Sequence, residues 1–370
     1  MKPYFSADSR SNILEGIDNI LQSGRLMMGD YTKAFEEKFA DYVHTEFAIS
    51  VNSCTTALQI CLQYYGAAGR EVLVPSGTFR SAVSSIRWAD ASPVLVDMNP
   101  ETLSFDLTDL QNKITPNTVG IMWVHLTGMI TSEYLAVKEI AKDNDLFLLE
   151  DCAHAHGATV GTEMAGSLAD AGCFSFYPTK LMTTGTGGMI TTNDRELAQY
   201  ARSTRLFGQD PVSGKSVPEG GDWFLDEIRA CVGFHQLADI PNILTRRRKI
   251  ADEYTAGLAG KPGIKLLPIP EGHSPSYYQF PIFVDPAIDR DELISRMSQR
   301  HGIHCKEIYA PIHQLDNFKN LDDGTLSKTQ QTLERAVCLP MFFDLTSDQV
   351  ATVIAALASE VDAMLQSELL

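Results

Sequence analysis

The chain has 370 residues, with 30 Lys and Arg against 47 Asp and Glu, and its formal net charge is −17. This charge argues against a nucleic-acid partner, because a phosphate backbone is bound by clustered cations. The first residues lack the apolar run of a signal peptide and no later segment is apolar enough to span a bilayer, so we expect a cytoplasmic protein without a membrane partner. The seven cysteines are scattered, which favours reduced thiols over disulfides.

The first half of the chain alternates between strand and helix patterns. Residues 11–43 predict two amphipathic helices separated by Gly24. Strands are then predicted at Phe47–Val51, Val72–Pro75, Val94–Val96, Val119–Val124 and Leu146–Leu149, with helices at Thr56–Tyr65, Ser81–Trp88, Thr108–Lys113 and Tyr134–Asp143. This alternation predicts a mostly parallel central sheet sandwiched by helices, with ligands bound beyond the carboxyl ends of the strands.

The pattern changes near residue 240. A strand at Met189–Thr192 and a helix complete the alternating region. Further elements are predicted at Leu244–Leu258 (helix), Ile264–Leu267 and Tyr277–Val284 (strands), and Arg290–His301 and Ser347–Leu365 (helices). We therefore predict two domains, residues 1–240 with an N-terminal helical segment and a smaller α+β domain at residues 241–370.

The stretch from Leu146 to Gly188 carries the chemistry. Asp151 ends one predicted strand, and Lys180 follows the next one. Pyridoxal 5′-phosphate (PLP) needs a lysine amine for its Schiff base and an acidic group against its pyridine nitrogen, so this pair fits a PLP enzyme. A metal site built from Asp151, Cys152, His154 and His156 is the disfavoured alternative, because alternate residues of an extended strand face opposite ways.

Two motifs in this stretch, EDCAHAHG at 150–157 and FSFYPTK at 174–180, resemble the DegT/DnrJ/EryC1/StrS aminotransferases. The resemblance runs from about residue 10 to the C-terminus. It implies a fold-type I PLP enzyme in which residues 1–240 form the PLP-binding domain. It also implies a homodimer with shared active sites.

The resemblance assigns roles to individual residues. Lys180 forms the Schiff base and Asp151 meets the pyridine nitrogen. The remaining assignments are the cofactor phosphate for Cys54, Thr55 and Ser175, ring stacking for Phe79, the phenolic oxygen for His154, the partner's phosphate for Asp222, and the substrate mouth for His313. The chain departs from the family pattern at Cys54 (usually Gly), His154 (Gln), Thr186 (Glu), Asp222 (Asn) and Phe224 (Arg).

The implied reaction is transamination, with PLP and its amino form PMP alternating as cofactor. Glutamate or glutamine is the expected donor, and a keto-sugar, cyclitol or related ketone the expected acceptor. One alternative is a PLP-dependent dehydratase, epimerase or decarboxylase on an unusual biosynthetic substrate, motivated by the departures from the family pattern. A second alternative is a catalytically silent relative that acts as a sensor or scaffold.

Overall fold

The computed structural model of the chain describes residues 3–209 and 220–367. The helices are α1 (Ala7–Ser23), α2 (Asp30–Val43), α3 (Cys54–Tyr64), α4 (Arg80–Trp88), α5 (Leu107–Asn112), α6 (Tyr134–Asp143), α7 (Arg195–Thr204), α8 (Glu227–Gln236), α9 (Ile240–Leu258), α10 (Arg290–His301), α11 (Ser327–Leu333) and α12 (Ser347–Ser367). None of the helices in these ranges combines the length and apolar character that a membrane crossing requires.

The strands form one large sheet and two small ones. They are β1 (Phe47–Val51), β2 (Glu71–Pro75), β3 (Ser92–Val96), β4 (Thr118–Val124), β5 (Phe147–Asp151), β6 (Thr159–Val160), β7 (Glu163–Met164), β8 (Ala171–Ser175), β9 (Gly188–Thr192), β10 (Ile264–Leu266), β11 (His273–Ser274), β12 (Phe280–Val284) and β13 (Ala336–Leu339).

The large sheet has seven strands in the order β1-β9-β8-β5-β4-β2-β3. Neighbours from β8 to β3 pair in parallel, and only β9 runs antiparallel to its two neighbours, β8 and β1. Apolar residues from both faces of the sheet enter two separate buried clusters, which explains the continuous apolar runs of its strands. The mostly parallel, helix-covered sheet is the predicted architecture.

Most predicted elements agree closely with the structure. Both bounds of β1, α6 and α10 match, whereas α3 begins two residues before the prediction, at Cys54. It does so because the Oγ of Ser53 accepts a hydrogen bond from the Thr56 N–H at 3.1 Å and caps the helix there. Strand β13 was not predicted, since its apolar run of four residues is too short to show a period.

Helix α9 joins the two parts of the chain. Ile243 packs in a core on the large sheet, whereas Tyr254 packs in a separate core with the small antiparallel sheet β10-β12-β13. After the small sheet begins, the chain returns to the large sheet, where Ile312 and Phe318 are buried. The division at residue 240 remains a prediction, because both cores draw on α9.

Candidate active site

Lys180 lies in a loop that is held by main-chain hydrogen bonds between its own residues. The loop connects β8 to β9, and Ser175 pairs with Gly188 at its two ends. Inside the loop, the Phe176 N–H donates to the Gly187 carbonyl at 2.9 Å, and the Lys180 N–H donates to the Tyr177 carbonyl at 2.9 Å. The backbone at Lys180 is therefore placed by the sheet.

Asp151 lies at the same edge of the sheet as this loop. It is the last residue of β5 and pairs with Cys173 of the parallel strand β8. Its carboxylate is buried, and Oδ1 accepts the Ala153 N–H at 3.0 Å, the one backbone donor to Asp151 among the described residues. Burial raises the pKa of Asp151 above its ordinary value, although the Ala153 N–H and the charge of Lys180 oppose the rise.

The same buried surroundings shift the pKa of the Lys180 ε-amine. Burial lowers the pKa of Lys180 to about 8, against the opposing effect of Asp151. The Nζ atom lies 4.5 Å from the centroid of the Tyr278 ring, whose hydroxyl is 3.0 Å from Thr179 Oγ1. An amine with this pKa exchanges protons near neutral pH.

These two groups share a cavity of about 450 Å³. Its wall contains seven of the nine residues predicted for the site, namely Cys54, Thr55, Phe79, Asp151, His154, Ser175 and Lys180. The volume lies within the range of small-molecule sites.

One end of the cavity suits an anion. Helix α3 begins there at Cys54 with unpaired backbone N–H groups and the positive end of its dipole. Gly188 allows this approach, because a Cβ at that position would lie 2.6 Å from the Cys54 nitrogen. The Cys54 thiol is 4.0 Å from Asp151 Oδ1 and 3.6 Å from the Cys173 carbonyl oxygen, and burial raises its pKa, so it stays protonated.

His154 lines the cavity together with two tyrosines, Tyr278 and Tyr309. Its Nε2 is 2.9 Å from the Tyr309 hydroxyl oxygen. Its ring stacks on Tyr278 with 4.1 Å between centroids and 28° between planes. Burial, assisted by the charges of Lys180 and Lys306, lowers the pKa of His154 well below its ordinary value, so the imidazole is neutral.

The comparisons with known proteins agree with this geometry. The model of the DegT/DnrJ/EryC1/StrS aminotransferase family matches residues 7–358. The chain belongs to this family. A GDP-perosamine synthase of Caulobacter vibrioides is 34% identical to this aminotransferase over 363 residues, which are 96% of each chain. A dTDP-3-amino-3,4,6-trideoxy-alpha-D-glucose transaminase of Micromonospora megalomicea is 32% identical over 94% of each chain.

Solved structures give the same result. Spr1654 of Streptococcus pneumoniae in its PMP form superposes with a TM-score of 0.92 at 27% identity, over 99% of this aminotransferase and 98% of that chain. Its PLP form gives a TM-score of 0.91. The predicted family, fold class and enzyme class are confirmed. The family assignment favours the aminotransferase over a dehydratase, epimerase or decarboxylase.

The residues of the aminotransferase also fit its cofactor. The N-terminus of α3 and the Ser175 hydroxyl line the cavity at a place suited to a phosphate. The buried Asp151 carboxylate has acceptor capacity left over for a protonated ring nitrogen. Lys180 completes the set. The family assignment and the neighbour solved in PLP and PMP forms confirm the prediction of a PLP cofactor.

Two predicted residues lie outside the cavity wall. His313 is buried and its Nδ1 is 2.7 Å from the Ser76 Oγ, so its side chain is directed to Ser76 and not into the cavity. In the segment Tyr309–His313 it is Tyr309 that lines the cavity. Asp222 is exposed, and its backbone carbonyl accepts a hydrogen bond from Asn52 Nδ2 at 3.3 Å. Its role at a partner's cofactor stays a prediction.

The C-terminal part of the aminotransferase contributes three wall residues that were not among the predicted site residues, namely Tyr278, Lys306 and Tyr309. All three follow α9 and reach the cavity through the packing of the C-terminal part against the sheet edge. The resemblance gave a signal for Tyr309 alone, because it lies four residues before His313, which the resemblance placed at the substrate mouth.

The described residues contain one cluster with metal-ligand composition, His125, Glu150 and Cys152. The carboxylate of this cluster, Glu150, already accepts several hydrogen bonds. Glu150 accepts backbone N–H groups from Gly166, Leu168 and Ala169 at 2.8–3.1 Å, and its Oε2 is 2.7 Å from His125 Nε2. The cluster is therefore a structural network that holds the loop after β5.

Proposed function

We propose that this aminotransferase moves an amino group from glutamate or glutamine to the keto group of a sugar, a cyclitol or a related cyclic ketone. The observation that carries the proposal is the meeting of Lys180 and Asp151 in one cavity, next to a helix N-terminus that suits a phosphate. The relatives named as amino-sugar enzymes span at least 94% of both chains and support a sugar acceptor.

When bound, PLP supplies an electron sink for the carbon that carries the amino group. Asp151 would hold the proton on the ring nitrogen, since a carboxylate buried among apolar neighbours needs a cationic partner. The backbone N–H groups of Cys54 and Thr55 and the hydroxyl of Ser175 would bind the phosphate. Phe79 would cover one face of the ring.

Lys180 would anchor the cofactor through its amine and then act as the general acid and base. Its pKa of about 8 lets it take a proton from the substrate carbon and return it at neutral pH. The ring of Tyr278 would hold the freed ammonium group, from which it lies 4.5 Å away. The neutral imidazole of His154 would donate a hydrogen bond to the cofactor's phenolic oxygen.

An aromatic side chain at the cavity supports a cyclic acceptor. Tyr177 lines the cavity yet is 57% exposed, so its flat apolar surface faces the space where a substrate would enter. Such surfaces can stack on the face of a sugar ring.

We further propose a homodimer that works in the cytoplasm. Four apolar side chains near the N-terminus are more than 40% exposed, Leu14, Leu21, Leu26 and Met27, and a second copy would cover them. In that arrangement Asp222 would approach the partner's cavity. All seven cysteines are buried and unpaired, which suits a reducing compartment.

The test is a comparison of Lys180→Ala with the wild type and with Lys265→Ala. Lys265 is an exposed lysine paired with Glu101 and lies outside the cavity. Wild type and Lys265→Ala should show the visible absorbance of lysine-bound PLP and lose it on addition of glutamate or glutamine. A keto-sugar should then restore it. Lys180→Ala should lack both the band and turnover. Wild-type protein that never takes up PLP would refute the proposal.

A further inference from the structure

Lys306 brings a positive charge into the cavity that the roles proposed so far leave unused. The charged residues of the cavity wall are Asp151, Lys180 and Lys306. Asp151 and Lys180 both serve the cofactor. No carboxylate of the described residues forms an ion pair or hydrogen bond with the Lys306 ammonium, although the chain has 47 Asp and Glu residues.

The backbone holds Lys306 at the wall from both sides. The Cys338 N–H donates to the Lys306 carbonyl at 2.7 Å, and the Lys306 N–H donates to the Cys338 carbonyl at 3.2 Å. Three residues further on, the Tyr309 hydroxyl lies 2.9 Å from His154 Nε2. The segment between these two anchors is therefore fixed, and the Lys306 side chain begins from a defined place.

Lys306 lines the same cavity as Lys180 and His154. In agreement with this placement, its charge lowers the pKa of both Lys180 and His154. The phosphate end, at the N-terminus of α3, has its own donors and does not require a further cation. An anion attracted by Lys306 would be held near the atom from which Lys180 removes a proton.

We propose that Lys306 binds the α-carboxylate of the amino donor, an assignment that rests on the proposed function. In an amino acid the carboxylate and the amine share one carbon, and that carbon carries the proton that Lys180 must reach. A cation in the wall beside Lys180 fixes the orientation of this carbon through a charge-assisted hydrogen bond. A keto-sugar has no such carboxylate, so Lys306 would serve the donor half-reaction and select α-amino acids over amines that lack an α-carboxylate.

The test measures the two half-reactions separately in Lys306→Gln, Lys306→Arg and the control Lys265→Gln. Donor conversion is followed by the loss of the visible band, and equilibrium binding of 2-oxoglutarate to the PLP form by calorimetry. Lys306→Gln should weaken both glutamate and 2-oxoglutarate at least about tenfold, the usual effect of losing one hydrogen bond to a charged group. Lys306→Arg should recover most of this loss, and Lys265→Gln should behave as wild type.

A second substrate isolates the carboxylate. 4-Aminobutyrate keeps the amine of glutamate but lacks the α-carboxylate, so the preference for glutamate over it should fall at least about tenfold in Lys306→Gln. The retained visible band shows that the variant is folded and loaded.

Two results would overturn the assignment in different ways. If Lys306→Gln converts glutamate normally but slows the acceptor half-reaction, the lysine binds an acidic group of the acceptor. If wild-type protein shows the PLP band and no common amino acid bleaches it, the proposed donor class fails together with Lys306. The wild-type control separates these cases.

Discussion

Removing the charge of Lys180 should stabilise the cofactor-free protein. The change is Lys180→Met, which keeps an unbranched side chain that is one heavy atom shorter. Burial moves the pKa of Lys180 from 10.5 to about 8, and one pKa unit corresponds to about 1.4 kcal/mol. The protonated lysine therefore costs the folded apoprotein about 3 kcal/mol. We expect the variant to be about 2–3 kcal/mol more stable at pH 7.

The gain should depend on pH with a defined sign. The folded-state pKa lies below the unfolded value, so between pH 8 and 10.5 the unfolded chain holds more protons than the folded one. Wild type therefore gains stability as pH rises through this window, and the advantage of Lys180→Met should be full below about pH 8 and shrink towards pH 10.5.

Urea denaturation of the two apoproteins from pH 7 to pH 10 measures this difference. Lys265→Met serves as the control, because Lys265 is exposed and its loss should change stability by less than about 0.5 kcal/mol. Equal stability of wild type and Lys180→Met, or a gap that stays constant with pH, would show that the ammonium group is not desolvated.

Three further changes test the rest of the site. Asp151→Asn should keep bound PLP but slow the single-turnover donor half-reaction by about 100-fold or more, because a neutral amide does not hold the ring proton; an unaltered rate would contradict its role. Gly188→Ala should lower stability by about 1–3 kcal/mol and weaken PLP in an equilibrium titration, since the new Cβ would meet the Cys54 nitrogen at 2.6 Å. Glu150→Gln should cost about 3–5 kcal/mol in urea unfolding, because it breaks a buried network, and a loss below 1 kcal/mol would show that the network relaxes.

The sequence predicted the architecture well where the signal is local. Strands such as β1 and helices such as α6 were found at their observed bounds, because apolar periodicity and capping residues act over a few positions. Lys180 and Asp151 could be predicted to meet, since each follows a strand of the same parallel sheet and the carboxyl ends of such strands share one edge.

The wall residues that come from the C-terminal part of the chain could not be predicted from the sequence. Tyr278 and Lys306 follow Lys180 by 98 and 126 positions, and they reach the cavity only through the packing of the small sheet and α9. His313 shows the same limit at short range. A turn of 3-10 helix at Ile312–Gln314 directs its imidazole to Ser76, and a motif that places the segment does not specify which side chain faces inward.

The loop between β8 and β9 is held by main-chain hydrogen bonds, so the Lys180 side chain can be replaced without changing the loop. Ser175 and Gly188 pair at the two ends of the loop. Lys180→Ala should therefore keep the shape of the cavity while it abolishes catalysis. This inactive variant can be loaded with free PMP and used to capture the acceptor substrate. Mass spectrometry would identify the small molecules that the variant retains from a cell extract. These should include the ketone that the active wild-type enzyme converts before it can be detected.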